Sequence, residues 1–227
     1  MANDQTRANL RDRAREIADR VGSTFATDTE INKWIDDEGS ELHDILVSKF
    51  EEYFDSSAST AVVAGTSTYA LPTNFYKLQY ADLILGGHTY TLRRFMNRER
   101  NRYQDVSSIL GQYDYRILGS NIRLAPTPTS SGTLVVGFVP QYTPFAADGT
   151  LVNSAVPQGW EAYIAMGAAA KILIKEESDA GAVMALKGQL LDRITQMAED
   201  RDVNESGRIV DVSNRFGWRD TEEGWWM

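Results

Sequence analysis

Apolar residues recur at three-to-four spacing near the start of the chain, a pattern that predicts two amphipathic helices. The first stripe is followed by Gly22, which suits a C-terminal cap, and predicts a helix over residues 6–21. The second helix begins at a capping box formed by Thr27 and Glu30. Its apolar stripe is interrupted only by Glu38, and acidic residues occupy the remaining face.

Helical spacing returns in the last third of the chain. Pro157 suits the first turn of a helix, where its missing N–H would have had no partner. Small residues at 167–170 in the same segment would let another backbone approach closely. A further apolar stripe predicts a fourth helix over residues 179–200, whereas residues 201–227 have no sustained period and are predicted to form an arm.

Short runs of alternating or β-branched residues separate the two helical pairs and predict β-strands. The dipeptides Gly86-Gly87 and Gly119-Ser120 each lie between two extended runs, which predicts two hairpins. Pro72 follows another extended run and, because it lacks an N–H, should end the pairing of that strand.

Together these elements predict an α+β protein. We expect one helical bundle formed by the N- and C-terminal helix pairs, with an inserted antiparallel β region and an extended C-terminal arm. The expected boundaries are residues 1–55 for the N-terminal helices, 56–156 for the β-rich insertion, 157–200 for the C-terminal helices and 201–227 for the arm.

Composition removes several classes of site. The 227 residues include no cysteine, which excludes disulfides, thiolate nucleophiles and sulfur-ligated metal sites. No stretch approaches the roughly 20 apolar residues of a membrane helix, and the N-terminus lacks the pattern of a secretory signal. We therefore expect a protein that stays where it is made and contacts no membrane.

The net charge of −9 is unevenly distributed along the chain. Residues 28–55 contain ten acidic residues against two lysines, whereas arginines gather at 7–20 and again at 93–102. Patches of opposite sign suit contacts between copies of a chain or with an unlike partner. The alternative interpretation is that these charges form ordinary solvated faces.

Catalytic chemistry finds little support in the sequence. The chain has two histidines, and His43 is flanked by Glu41 and Asp44, but adjacent helical positions point about 100° apart and so do not converge on one site. His88 follows a predicted turn and is expected to be exposed. No phosphate-binding loop, dinucleotide fingerprint, nucleophile elbow or metalloprotease helix is present. We expect no enzyme activity, no cofactor and no metal.

Residues 8–36 offer an alternative function, because two helices with a glycine between them resemble a helix-turn-helix. The loop is longer than the usual turn of that motif. The second helix also carries Asp36, Asp37 and Glu38, which would oppose DNA phosphate, the group that usually dominates affinity. A DNA-binding protein of this kind would bind duplex in a salt-sensitive way through Arg11, Arg13 and Arg15.

The order of several short motifs resembles the head-to-tail adaptor proteins of tailed bacteriophages. The motifs are TDTEINKWI, YALPTNFYKL, YDYRILGSNIRLAPTP and GTLVVGFVP, followed by a late alanine-rich helix. They extend from about residue 8 to about residue 200, and neither the 93–102 stretch nor the arm matches that pattern.

This resemblance implies a non-enzymatic virion structural protein at the head–tail junction, assembled in the host cytoplasm. Such adaptors form a ring, usually of twelve subunits, that binds the portal protein and extends the DNA channel. The ring is the platform on which tail or nozzle proteins attach, and viral DNA passes through it without specific binding.

Three groups of residues are candidates for these contacts. The aromatic end of the arm could fold back on its own bundle. Alternatively it could bury its apolar area in another subunit or in the portal, because tryptophans are favoured interface anchors. An acidic helix could line the channel, and the central arginines could contact a neighbouring subunit or the tail. The portal-binding candidates are Phe216, Trp218, Trp225, Trp226 and Met227, the channel-lining candidates are Asp36, Asp37, Glu41 and Asp44, and the basic candidates are Arg93, Arg94, Arg98, Arg100 and Arg102.

Overall fold

Four helices from the two ends of the chain pack into one bundle. The computed structural model describes residues 5–50, 52–96, 99, 112–150 and 159–199. Within that part of the chain the helices are α1 (Arg7–Ile17), α2 (Asp28–Lys49), α3 (Glu161–Lys175) and α4 (Gly181–Glu199). Helix α3 contacts the other three helices, so the predicted union of the N- and C-terminal pairs is confirmed.

The bundle core contains side chains from all four helices. Leu10, Ile31, Ile35 and Ile164 are fully buried, and Ile194 of α4 joins the same cluster. Burial of each such side chain stabilises the fold by about 1.5–3 kcal/mol. Because these residues come from both ends of the sequence, the bundle core is discontinuous in the chain.

The ends of the first two helices show one confirmed prediction, at the start of α2, and one correction, at the end of α1. Thr27 Oγ1 accepts a hydrogen bond from the Glu30 amide at 3.3 Å, and the Glu30 carboxylate accepts one from the Thr27 amide at 2.9 Å, as the capping box requires. Helix α1 ends at Ile17, four residues before the predicted end. The reason is the left-handed backbone of Asp19, at φ 53°, which breaks the helical repeat.

Eight strands between α2 and α3 form two four-stranded sheets in the described part of the chain. They are β1 (Ser56–Val62), β2 (Thr68–Ala70), β3 (Phe75–Leu85), β4 (His88–Thr91), β5 (Arg93–Arg94), β6 (Asp114–Leu118), β7 (Asn121–Ala125) and β8 (Gly132–Pro140). The first sheet has the order β1-β8-β3-β4 and the second the order β2-β7-β6-β5. All pairs are antiparallel except the short parallel pair of β5 with β6.

Both predicted hairpins are present. Gly86 and Gly87 connect β3 to β4 with φ of 56° and 83°, and Gly119 begins the turn between β6 and β7 with φ of 59°. Such positive φ angles cost glycine little. The two sheets enclose one apolar core between them, with Leu83 of the first sheet and Ile122 of the second fully buried.

Pro72 ends the pairing of β2, as predicted. The amide of Leu71 still donates to the Ser120 carbonyl at 2.9 Å, and regular pairing stops before the proline. The chain then enters β3, where Phe75 packs on Phe138 of the β core. The next residue, Tyr76, lies instead against the bundle, so β3 begins at the junction between the two cores.

Candidate interaction surfaces

A buried carboxylate lies at the centre of the acidic helix. The Glu38 side chain is only 4% exposed and forms ion pairs with Lys187 Nζ at 2.6 Å and Lys171 Nζ at 3.1 Å. The facing glycine of α3, Gly167, has no side chain, and any Cβ there would overlap the Glu38 carboxylate. Burial is the largest single influence on the pKa of Lys187 and would lower it, but the hydrogen bond to Glu38, the charge of Glu38 and the contact with Tyr163 together outweigh burial and raise that pKa.

The neighbouring acids on α2 also have partners in the same chain. Lys187 Nζ reaches Glu41 at 3.2 Å, and the Tyr163 hydroxyl donates a hydrogen bond to Glu41 at 3.0 Å. Lys171 Nζ lies 3.5 Å from Asp37. Lysines from α3 and α4 therefore neutralise part of the acidic surface that the sequence suggested.

Three of the four arginines of α1 are engaged in the same way, whereas Arg13 is exposed. Arg7 and Arg11 both bind the Asp148 carboxylate, at 2.9 and 3.1 Å, and these hydrogen bonds lower the pKa of Asp148. Arg15 binds Asp28 at 2.6 Å. The side chains of these three arginines are 12–18% exposed. A DNA phosphate would have to compete with these ion pairs, which argues against the helix-turn-helix alternative.

A cleft of about 610 Å³ separates the bundle from the β region. His43 lies in its wall, nearly buried, and its ring stacks on Phe54 with centroids 4.7 Å apart. The ring centroid of Tyr142 lies 6.3 Å from that of His43, and Tyr142 covers Gly39. His43 therefore packs as a core aromatic residue. No group of three or more potential metal ligands occurs among the described residues.

Comparison with known proteins identifies the chain. The SU10 adaptor protein family matches residues 5–211. The chain belongs to this family of phage head–tail adaptors. No curated protein matches it. The resemblance inferred from the motif order is therefore confirmed, and the adaptor is a structural component of the virion head–tail junction.

The acidic candidates of the adaptor lie on α2 but differ in accessibility. The side chains of Asp37, Asp44 and Glu41 are 66%, 55% and 51% exposed. Asp36 turns towards the β8–α3 connection, where it accepts a hydrogen bond from the Phe145 amide at 3.0 Å. Burial raises the pKa of Asp36, and this hydrogen bond opposes the rise. Three carboxylates on one side of the adaptor therefore stay more than half exposed, although Glu41 and Asp37 share lysines with Glu38.

The basic candidates are only partly within the described residues. Arg93 and Arg94 form β5 at the outer edge of the second sheet, and both are exposed. Neither has an ion pair with a described acidic residue. Outside the described residues lie Arg98, Arg100 and Arg102, together with the arm candidates Phe216, Trp218, Trp225, Trp226 and Met227.

Sequence reasoning missed two kinds of charged residue. Arg116 and Arg123 lie directly opposite each other on β6 and β7, in the same sheet as β5. Their equal separation from the Gly119-Ser120 turn was an available signal, since hairpin register follows from the turn. The second omission was Lys171 and Lys187 as partners of Glu38. The signal there was an acid inside an apolar stripe, which requires a partner when buried.

No described helix of the adaptor has the length and hydrophobicity needed to cross a membrane.

Proposed function

We propose that this adaptor forms a closed ring on the portal protein, extends the DNA channel and provides the platform for tail or nozzle proteins. The observation that carries the proposal is the family match over residues 5–211. Twelve subunits are the number expected from the resemblance of the chain to head-to-tail adaptors. Closed cyclic symmetry needs two different complementary patches on each subunit, and the chain has separate acidic and basic surfaces.

We place the exposed acids of α2 at the channel. Asp37, Glu41 and Asp44 keep more than half of their side-chain surface, and with Asp36 they form a negative surface. Negative charge repels the phosphates of passing DNA and so keeps the genome from binding to the wall. The pairing of Glu38 with Lys187 and Lys171 supports this role. The buried carboxylate takes the shorter contact of each lysine, and Glu41 and Asp37, which share these lysines, stay more than half exposed.

The arm supplies the portal contact in this proposal. Residues 201–227 contain Trp218, Trp225 and Trp226, with Phe216 and Met227 beside them. Each large apolar side chain contributes about 1.5–3 kcal/mol when it is buried. A portal with repeated identical clefts would bind the arms of a ring with avidity.

The basic candidates supply the second contact of each subunit. Arg93 and Arg94 are exposed at a sheet edge, away from the ion pairs of the bundle. With Arg98, Arg100 and Arg102 they form a dense positive stretch. We propose that it faces a neighbouring subunit or a tail protein, where complementary charge would fix the register.

Electron microscopy of purified adaptor with and without portal tests this function. We expect rings on the portal from the full chain, and loss of docking from a chain that ends after Ser213. A matched control replaces Trp34, which lies in the bundle, with phenylalanine and should still dock. Normal docking by the shortened chain would refute the role of the arm, and absence of any ring on portal would refute the proposed function.

A further inference from the structure

Strand β1 leaves one side of the first sheet open. It pairs with β8 over all seven of its residues in an uninterrupted register. No described backbone group bonds to its other side. The edge strands β2, β4 and β5 are shorter, with three, four and two residues. Among the described strands, β1 is therefore the longest free edge.

The sequence of β1 does nothing to block this edge. The strand reads SSASTAV and contains no charged residue and no proline, and its pairing has no bulge. Natural sheets usually protect long edges with lysine, proline, a bulge or a covering segment, because a bare edge attracts another strand. Lysine, proline and a bulge are all absent from β1, which favours a covering segment.

Helix α4 ends beside the end of α2, from which the chain continues to β1. Glu199, the last residue of α4, forms an ion pair with Lys49, the last residue of α2, at 2.7 Å. Seven residues further along, β1 begins at Ser56, so its start lies within about 25 Å of Lys49. Segments nine to thirteen residues beyond Glu199 can span about 30–45 Å. Residues 208–212 can therefore reach β1 of their own chain, even with the length of the Lys49 and Glu199 side chains added.

The sequence at this distance is suited to a strand. Residues 208–212 read RIVDV, directly after Gly207, and three of these five are β-branched. Such residues favour extended backbone. In a strand, Val210 and Val212 would share one face. Ile209 and Asp211 would lie on the other face.

We propose that residues 208–212 add to the free edge of β1 as a fifth strand of the first sheet, within the same chain. Main-chain hydrogen bonds would hold the segment, as in other cases of strand addition. The strand needs neither portal nor ring to form. Where the proposed function also holds, it would anchor the start of the arm and leave residues 213–227 to reach the portal.

Hydrogen exchange of individual β1 amides in the full chain, free of portal, tests this strand. Amides of an edge strand point alternately towards the neighbouring strand and away from it. We expect protection of both sets in the full chain and in a chain ending after Ser213. A chain ending after Ser206 should lose protection only in the outward set, by about tenfold or more.

Proline variants separate the strand from a general effect of the arm. Val210→Pro should deprotect the outward amides of β1, whereas Asn204→Pro, outside the proposed strand, should not. Fast outward amides in the full chain would overturn the proposal. Protection of these β1 amides that falls when the protein is diluted would also overturn the proposal, because the added strand would then come from a second copy of the chain. The chain that ends after Ser213 keeps the proposed strand but lacks Trp218, Trp225 and Trp226. Its β1 protection therefore tests the strand independently of whether the arm binds portal.

Discussion

Replacement of Glu38 by glutamine tests the buried charge cluster most directly. The substitution keeps the shape of the side chain but removes the charge that Lys187 and Lys171 share. Removing one partner of a buried ion pair typically costs about 3–5 kcal/mol. Here Lys187 retains Glu41 at 3.2 Å and Lys171 retains Asp37 at 3.5 Å. We therefore expect Glu38→Gln to lower the free energy of unfolding by about 2–3 kcal/mol.

Urea unfolding followed by far-UV circular dichroism measures this loss. The matched control is Glu41→Gln, which removes a carboxylate from the same lysine but at a side chain that is 51% exposed. Exposed ion pairs contribute about 0–1 kcal/mol, so the control should stay within that range. Equal costs for the two variants would refute the reasoning, because they would mean that burial of Glu38 adds nothing.

A second measurement separates the charge from the packing. In the double variant Glu38→Met, Lys187→Met, no unpaired charge remains at that contact, and apolar replacement of a buried pair is often neutral or stabilising. We expect the double variant to be more stable than Glu38→Met alone. A double variant at least as unstable as the single one would contradict the assignment of the cost to an uncompensated lysine.

Three further predictions concern the bundle and the β region. Gly39→Ala should destabilise the fold by about 1–3 kcal/mol, because the new Cβ would overlap the ring of Tyr142. Tyr69→Phe should cost about 1–2 kcal/mol, because its buried hydroxyl bonds to backbone of the β1–β2 connection. Glu30→Gln should flatten the acid dependence of stability, because hydrogen bonds from Lys175 and then Thr27 lower the pKa of Glu30 from 4.5 to about 2.

Each of these predictions has a control. Gly188→Ala adds a Cβ that meets no atom within 4 Å, so a similar loss there would contradict the Gly39 result. Tyr80→Phe, at a 41% exposed tyrosine, should be nearly neutral beside Tyr69→Phe. For Glu30, the lowered pKa adds stability above pH 4.5 that is lost as the pH falls towards about 2. Unfolding curves of parent and Glu30→Gln that lose stability equally over this range would contradict the assignment.

Local patterns predicted the elements of the fold well. The capping box placed the start of α2, and paired glycines placed both hairpins, because each signal depends on backbone groups a few residues apart. The pairing of β1 with β8 was not predictable in this way. Ser56 pairs with Phe138, far along the chain, and this choice depends on the shared core of the two sheets.

The candidate surfaces were harder to predict, because charge on a sequence does not say where its partners lie. The acids of α2 were recognised, but Lys171 and Lys187 belong to helices more than 100 residues away. Three arginines of α1 (Arg7, Arg11 and Arg15) bind Asp148 or Asp28 in the folded chain, and their positions in the sequence do not indicate these partners. The roles of the channel, basic and arm candidates remain predictions.

The discontinuous bundle core has a consequence for synthesis of the adaptor. The apolar core of the β region is formed by residues from Ala58 to Phe138, so it can be completed before α3 and α4 have been made. The apolar faces of α1 and α2 must wait for Ile164 and Ile194. A ribosome delivers the chain from its N-terminus. The first segment to emerge is therefore among the last to be stabilised, and premature termination within α3 would release a β region attached to two helices that lack their packing partners in α3 and α4.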